Sequence, residues 1–176
     1  MTFDPILGAS PVIVVHTVAA LLAFVAGPVA ILRRRRDALH RMAGWLWVMA
    51  MVVTSVTALG IFEIRLIGPL TPIHALPFLV GFMLWRAIRA IRAGDRVTHG
   101  RTLAQLYIWS MGVAGLFTLL PGRRMNAVLF DGQSWPGFWM ATVLMVALAL
   151  VIWRAQPAAG GAGRRLFPLH KAPLSR

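Results

Sequence analysis

Cysteine is absent from the 176 residues, which removes disulfides, iron–sulfur clusters and thiol chemistry from consideration. Acidic side chains are scarce, five against 18 basic ones, and charged residues make up only 13% of the chain. A soluble domain of this size carries roughly 25%. The core of the long apolar stretches contains no Asp, Glu or Lys. A proton relay would have to use Thr54, Ser55, Thr57 and Ser110, and no internal repeat suggests a transporter. There is no phosphate-binding or dinucleotide fingerprint, and Ser10, Ser55, Ser110 and Ser134 stand without a partner base. The first ten residues hold Asp4 and no basic residue, whereas a secretory signal opens with positive charge. The first apolar stretch therefore reads as a retained anchor.

What the chain does have is apolar sequence, 59% by composition. Five windows reach about 20 residues, the length of a helix that crosses a bilayer. They predict an all-α, polytopic transmembrane bundle of about five spans, near 11–32, 42–63, 72–93, 102–121 and 136–154. These form one domain over 1–156. The remaining 157–176, rich in Gly, Ala, Pro and Arg, is expected to be a disordered basic tail. Pro11 suits a first helical turn. Gly27-Pro28 predicts a kink that a neighbouring helix must cover. Trp45 and Trp47 are expected in an interfacial aromatic belt. Thr71 and Pro72 suit an N-cap and first turn, and Arg86, Arg89 and Arg92 continue a helix past the apolar core by snorkelling. Gly94-Asp95 closes that helix, and Asp131-Gly132 reads as a turn.

A net charge of +13 would suggest nucleic acid in a soluble protein. Here the cations lie between spans and act as topology signals. Fifteen fall on the side of the first loop, the third loop and the tail; only Arg65, Arg123 and Arg124 fall on the other. The positive-inside rule then predicts the N-terminus outside and the C-terminus in the cytoplasm of a bacterial inner membrane, with Arg33 to Arg36 against anionic lipid headgroups.

Four histidines lie near the starts of the first four spans: His16 and His74 on the outer side, His40 and His99 on the inner. Ionisable groups inside a membrane are functional candidates. A helix N-terminus disfavours imidazolium, and neutral imidazole is the form that binds metal. Facing helices could thus offer bis-histidine ligation to b-type haem, His16 with His74 outside and His40 with His99 inside. Gly44 shares a face with His40 and Gly81 with His74, while Ala19, Ala20 and Ala23 flank His16. Such residues admit a flat macrocycle or, more commonly, close helix packing. Arg41, Arg101 and Arg123 could receive propionates or simply mark the interface. His170 falls in the tail.

His40-Arg41-x-x-Gly44, Gly94-Asp95 followed by His99-x-Arg101, and Leu119-Leu120-Pro121-Gly122-Arg123 resemble a bacterial family of membrane proteins, domain of unknown function 2306. The resemblance covers about residues 12 to 130. It implies a multi-span fold and no activity. The family's second histidine motif reads His-Arg-x-Trp-Met; here it is His99-Gly100-Arg101-Thr102-Leu103, the pattern of a divergent member. The alternating histidines are also similar in layout, though in no motif, to cytochrome b561-type di-haem proteins.

Two functional readings remain open. One is a membrane electron carrier with haem b, serving a quinone or other redox partner. The other is a non-catalytic membrane assembly, scaffold or envelope-associated protein whose histidines are structural. A transporter fits least. A homo-oligomer is compatible with either reading.

Overall fold

The structure is a computed structural model that describes residues 3–33, 35–61, 72–130 and 132–156. Every regular element among them is helical. A short α1 (Asp4–Leu7) precedes α2 (Pro11–Leu32) and α3 (Ala38–Ala58). A 3-10 turn, Pro72–Ala75, leads into α4 (Leu76–Arg92). Next, α5 (Arg96–Trp109) continues through a π-helical turn at Ser110–Ala114 into α6 (Gly115–Thr118). Finally come α7 (Arg124–Phe130) and α8 (Trp135–Ala155).

Three of these helices, α2, α3 and α8, are long and apolar enough to cross a membrane. The second apolar stretch turns helical at Ala38, four residues before the expected start at 42, because Asp37 caps it: its carboxylate accepts from the His40 amide at 3.1 Å. The fourth begins at Arg96 rather than 102, where Asp95 accepts from the Thr98 amide at 2.9 Å. His40 and His99 therefore lie within first turns, not before them. Glu63, Arg65, Thr71, Asp131, His170 and the whole tail fall outside the described residues. Thr71 had been expected to cap the third stretch, and Asp131-Gly132 to form a turn.

The turn between α4 and α5 follows from its residues. Gly94 adopts φ +80, the left-handed conformation that ends helices at least cost. It lets the Asp95 amide reach back to Ala90 O at 2.9 Å and the Gly94 amide to Ile91 O at 3.1 Å. Asp95 thus closes one helix with its amide and opens the next with its carboxylate.

Packing rests on small residues. Along α2, Ala19, Ala23, Ala26, Gly27 and Ala30 are buried at helical spacing; on α3 the buried set is Ala43, Trp47, Ala50 and Met51. Adjacent in sequence and antiparallel, the two form one hairpin, and α4 with α5 forms the second. A shared core of Ala23, Trp47, Leu84, Tyr107 and Ile152 joins both hairpins and α8. Ala19 and Ala23 of the expected His16 face are therefore consumed in helix–helix contact, as small residues in membrane bundles usually are. Helix α8 buries only Gly137 and Ile152, leaving the rest of its apolar surface for lipid.

The Gly27-Pro28 pair is where the hairpins lock. Proline at 28 has no amide hydrogen, so the carbonyl four residues earlier, Phe24 O, loses its helical donor. Tyr107 from α5 supplies it: Oη donates to Phe24 O at 2.9 Å. Gly27 makes room, since a Cβ there would stand 2.4 Å from the Tyr107 ring. Trp47 is fully buried beside the same ring, centroids 6.3 Å apart. Its expected place in an interfacial belt is thus corrected: the small α2 face opposite draws it inward. Trp45 is 62% exposed.

At the opposite end of the bundle, the stretch expected as a loop between 121 and 136 contains α7. Fully buried Asn126 organises it, its amide donating to Leu119 O at 2.8 Å and Ser134 O at 3.2 Å and its Oδ1 accepting from the Ser134 amide. Arg124 donates to Pro5 O at 2.9 Å, which ties α7 to α1.

Candidate functional site

The histidines were expected to pair across hairpins. The observed contacts run within them. His16 Nδ1 lies 3.1 Å from Thr57 Oγ1, joining the start of α2 to the end of α3. The Thr57 hydroxyl also lies within donating distance of Val53 O at 2.7 Å and Thr54 O at 3.1 Å. His40 Nδ1 donates to Ala30 O at 3.1 Å, joining the start of α3 to the end of α2. The first hairpin is thereby bonded at both ends by a histidine. In the second, His99 Nδ1 donates to Ala87 O at 2.9 Å.

Each of the two backbone bonds does the same chemistry. A carbonyl accepts only, so the proton is on Nδ1 and the neutral ring carries its lone pair on Nε2. His40 and His99 are half-buried, and both sit at the end of the bundle that carries the 33–37 loop and the 93–95 turn. Burial, opposed in part by the Ala87 bond, holds the His99 imidazole below its ordinary pKa, and Arg36 and His40 push it the same way.

His74 is half-buried in the 3-10 turn before α4. The 3-10 turn also breaks the helical phase from His74 to Gly81. Gly81 instead lines a cleft of about 170 Å³ between α3 and α4, with Val52, Ser55, Phe78 and Leu84 among its walls. A second hollow, against α5 and α8, holds about 10 Å³. Neither hollow touches a histidine, and both fall below the roughly 300–1,000 Å³ of ligand pockets. Among the described residues, no group of three or more His, Cys, Asp or Glu converges as a metal site.

The arginines offered to propionates have other occupations. Arg123 stacks over the Phe117 ring, 4.6 Å from its centroid, and Arg41 reaches Arg36 O at 3.5 Å. Arg101 lies two residues from His99 on the first turns of α5. Arg33 forks onto Asp37, through Nε to Oδ1 at 2.7 Å and through Nη2 to Oδ2. That arginine first, and the His40 amide next, hold the Asp37 carboxyl well below the usual carboxylate range. Sequence reasoning missed Asp37 and Asp95 as caps, although an acid three residues before the helix interior is a recognisable N-cap signal. It also missed Tyr107 and Asn126, whose partners are 83 and 7 or 8 residues away.

Compared with known proteins, residues 13–153 match a family described as "Predicted membrane protein (DUF2306)". No curated protein and no solved structure gives a significant match.

Proposed function

The chain belongs to the DUF2306 family of predicted membrane proteins, and from that premise we propose a non-catalytic, multi-pass protein of the bacterial inner membrane. It crosses about five times, with α4 and the α5–α6 run completing the three longer spans, its N-terminus outside and its arginine-rich end in the cytoplasm. Its role is that of an assembly or scaffold protein, and its histidines are structural. The observation that carries this reading is the direction of the imidazole bonds. His16, His40 and His99 each spend Nδ1 on the neighbouring helix of their own hairpin.

Asparagine tests it, because its side-chain amide stands where Nδ1 stands and nothing replaces Nε2. A His16→Asn, His40→Asn, His99→Asn variant should fold and complement a deletion strain, whereas leucine at the same positions should lower its stability. Loss of function in a well-folded asparagine variant would overturn the structural role.

A second reading has its own support. A ring that donates Nδ1–H to a carbonyl and keeps its Nε2 lone pair has the second-shell arrangement of a metal-ligating histidine, and His40 and His99 both have it. In donor chemistry the pair fits an axial haem b site of an electron carrier with a quinone or other redox partner; in space, the two hollows described do not. The absorption spectrum of the purified protein, oxidised and then dithionite-reduced, decides. A Soret band with sharp reduced α and β bands, lost in the asparagine variant, establishes the haem reading.

A further inference from the structure

One face of α4 runs from aromatic to cationic without a break. Phe78, Phe82, Trp85 and Arg89 follow one another at steps of four, three and four residues, which puts them on one side of the helix. All four are exposed. The Phe82 and Trp85 ring centroids lie 5.9 Å apart, and the Arg89 guanidinium sits over the Trp85 ring, 5.0 Å from its centroid. A ring engages the flat face of a guanidinium, whose N–H donors radiate in its own plane. On an exposed residue those donors face an acceptor from outside the helix. Arg92, three residues on, is exposed as well.

The other end of the row opens into the cleft between α3 and α4. Phe78 belongs to both, and Gly81, one turn before Trp85, lines the cleft with Val52, Val56 and Leu84. Gly81 leaves the passage clear: a Cβ there would meet no atom within 4 Å. The cleft is too small for a macrocycle, yet its apolar walls suit a single hydrocarbon chain. Its distance from the cation suits one too. The helix rises about 16 Å between Phe78 and Arg89, close to half of the roughly 30 Å hydrocarbon core that two layers of acyl chains fill. A cation at one end and an apolar trough one leaflet's depth away match an amphiphile with an anionic head.

We propose that this face of α4 binds one anionic glycerophospholipid. Its phosphate accepts from Arg89, with Arg92 alongside, and one acyl chain lies along Trp85 and Phe82 into the cleft at Gly81. Charge-assisted N–H···O bonds favour phosphate at the guanidinium. A zwitterionic head brings its own ammonium beside the phosphate, which weakens that attraction. The cleft lies on the seam between the two hairpins, α3 belonging to the first and α4 to the second. A chain seated there adds apolar contact to both and stabilises the seam.

The protein, purified in a mild detergent, is mixed with phosphatidylglycerol and phosphatidylcholine of equal chain length, and retained lipid is counted by native mass spectrometry. One phosphatidylglycerol per chain is expected to be retained in preference to phosphatidylcholine, and to raise the melting temperature. Arg89→Gln, at an exposed position, should weaken that retention about tenfold, as for loss of a hydrogen bond to a charged group. Gly81→Leu fills the cleft while replacing glycine with a better helix former, so it should abolish retention with the fold and Arg89 intact. Dihexanoyl-phosphatidylglycerol has the same head on chains too short for the cleft, and should compete poorly. Phosphatidylglycerol with a diazirine at the end of one chain should, on illumination, label the peptides that contain Val56 and Gly81. Equal retention of the two lipids, or retention unchanged in either variant, would overturn the proposal. So would a homodimer that retains no lipid, since a second copy would then cover this face.

Discussion

Pro28 and Tyr107 form a pair whose logic is chemical before it is structural. One residue removes a donor from the Phe24 carbonyl, and the other, 79 positions away by the numbering, returns it. The need for a cover was readable from Gly27-Pro28 alone. The identity of the cover was not, because periodicity assigns a residue to a face and says nothing of the helix opposite. Tyr107→Phe should cost about 1–3 kcal/mol by stranding a buried carbonyl. In a Pro28→Ala background the restored amide serves Phe24 O, and the same substitution should cost clearly less. Unfolding by titration from mild detergent into dodecyl sulfate measures the four corners of the cycle; equal costs in both backgrounds would show that Pro28 is not the reason for the tyrosine. Trp47 offers a similar lesson. It reads as a belt residue from its distance to the arginines, yet it is fully buried, because Gly27 and the alanines of α2 leave space that only a large side chain fills.

Helices, not single residues, decide which histidines meet. Spacing along the chain reads His16 and His74 as one pair and His40 and His99 as the other. It does not reveal that antiparallel neighbours joined by short connections pair first, so that His16 and His40 each bond within one hairpin. The caps that open α3 and α5 carry a pH consequence. His99 is held below its ordinary pKa in the folded protein. Above about pH 6.5 both folded and unfolded chains keep it neutral, and stability is unaffected. As pH falls below that value the unfolded chain binds a proton that the folded chain resists, so stability declines until the folded pKa is passed. Asp37 works the same way lower down: its depressed pKa stabilises the fold above the ordinary aspartate range and the contribution is lost as acid protonates it. In a zwitterionic detergent free of phosphate, the resistance to dodecyl sulfate should therefore fall between about pH 7 and 5, and the slope should shrink in His99→Asn. A slope unchanged by that substitution would assign the effect elsewhere.

For the whole molecule, the helical class and the three long apolar helices were legible because a bilayer imposes length and apolarity on every span. The helix ends were less so: Asp37 and Asp95 set them, and both sit among arginines that draw attention to topology instead. The ordered connection through α7 was illegible, since a seven-residue helix held by one asparagine has no period to detect. Charge distribution makes a sharp prediction about orientation. A reporter active only outside the inner membrane should be active when fused before Phe3 or after Phe130 and silent when fused after Gly94 or at the C-terminus, with a cytoplasmic reporter giving the reverse. Activity at Gly94 would invert the topology.

The lock at the centre of the bundle also has an optical consequence. The chain contains one tyrosine, and its ring stands 6.3 Å from that of Trp47. At such a distance an excited phenol passes its energy to the indole before it can emit. The intact protein should fluoresce as though it had no tyrosine. Trp109, two residues along the same helix, would go on accepting that energy after α5 leaves α2 and α3, so in a Trp109→Phe variant the phenol's own emission near the blue edge should appear only when the two hairpins separate, with no label attached.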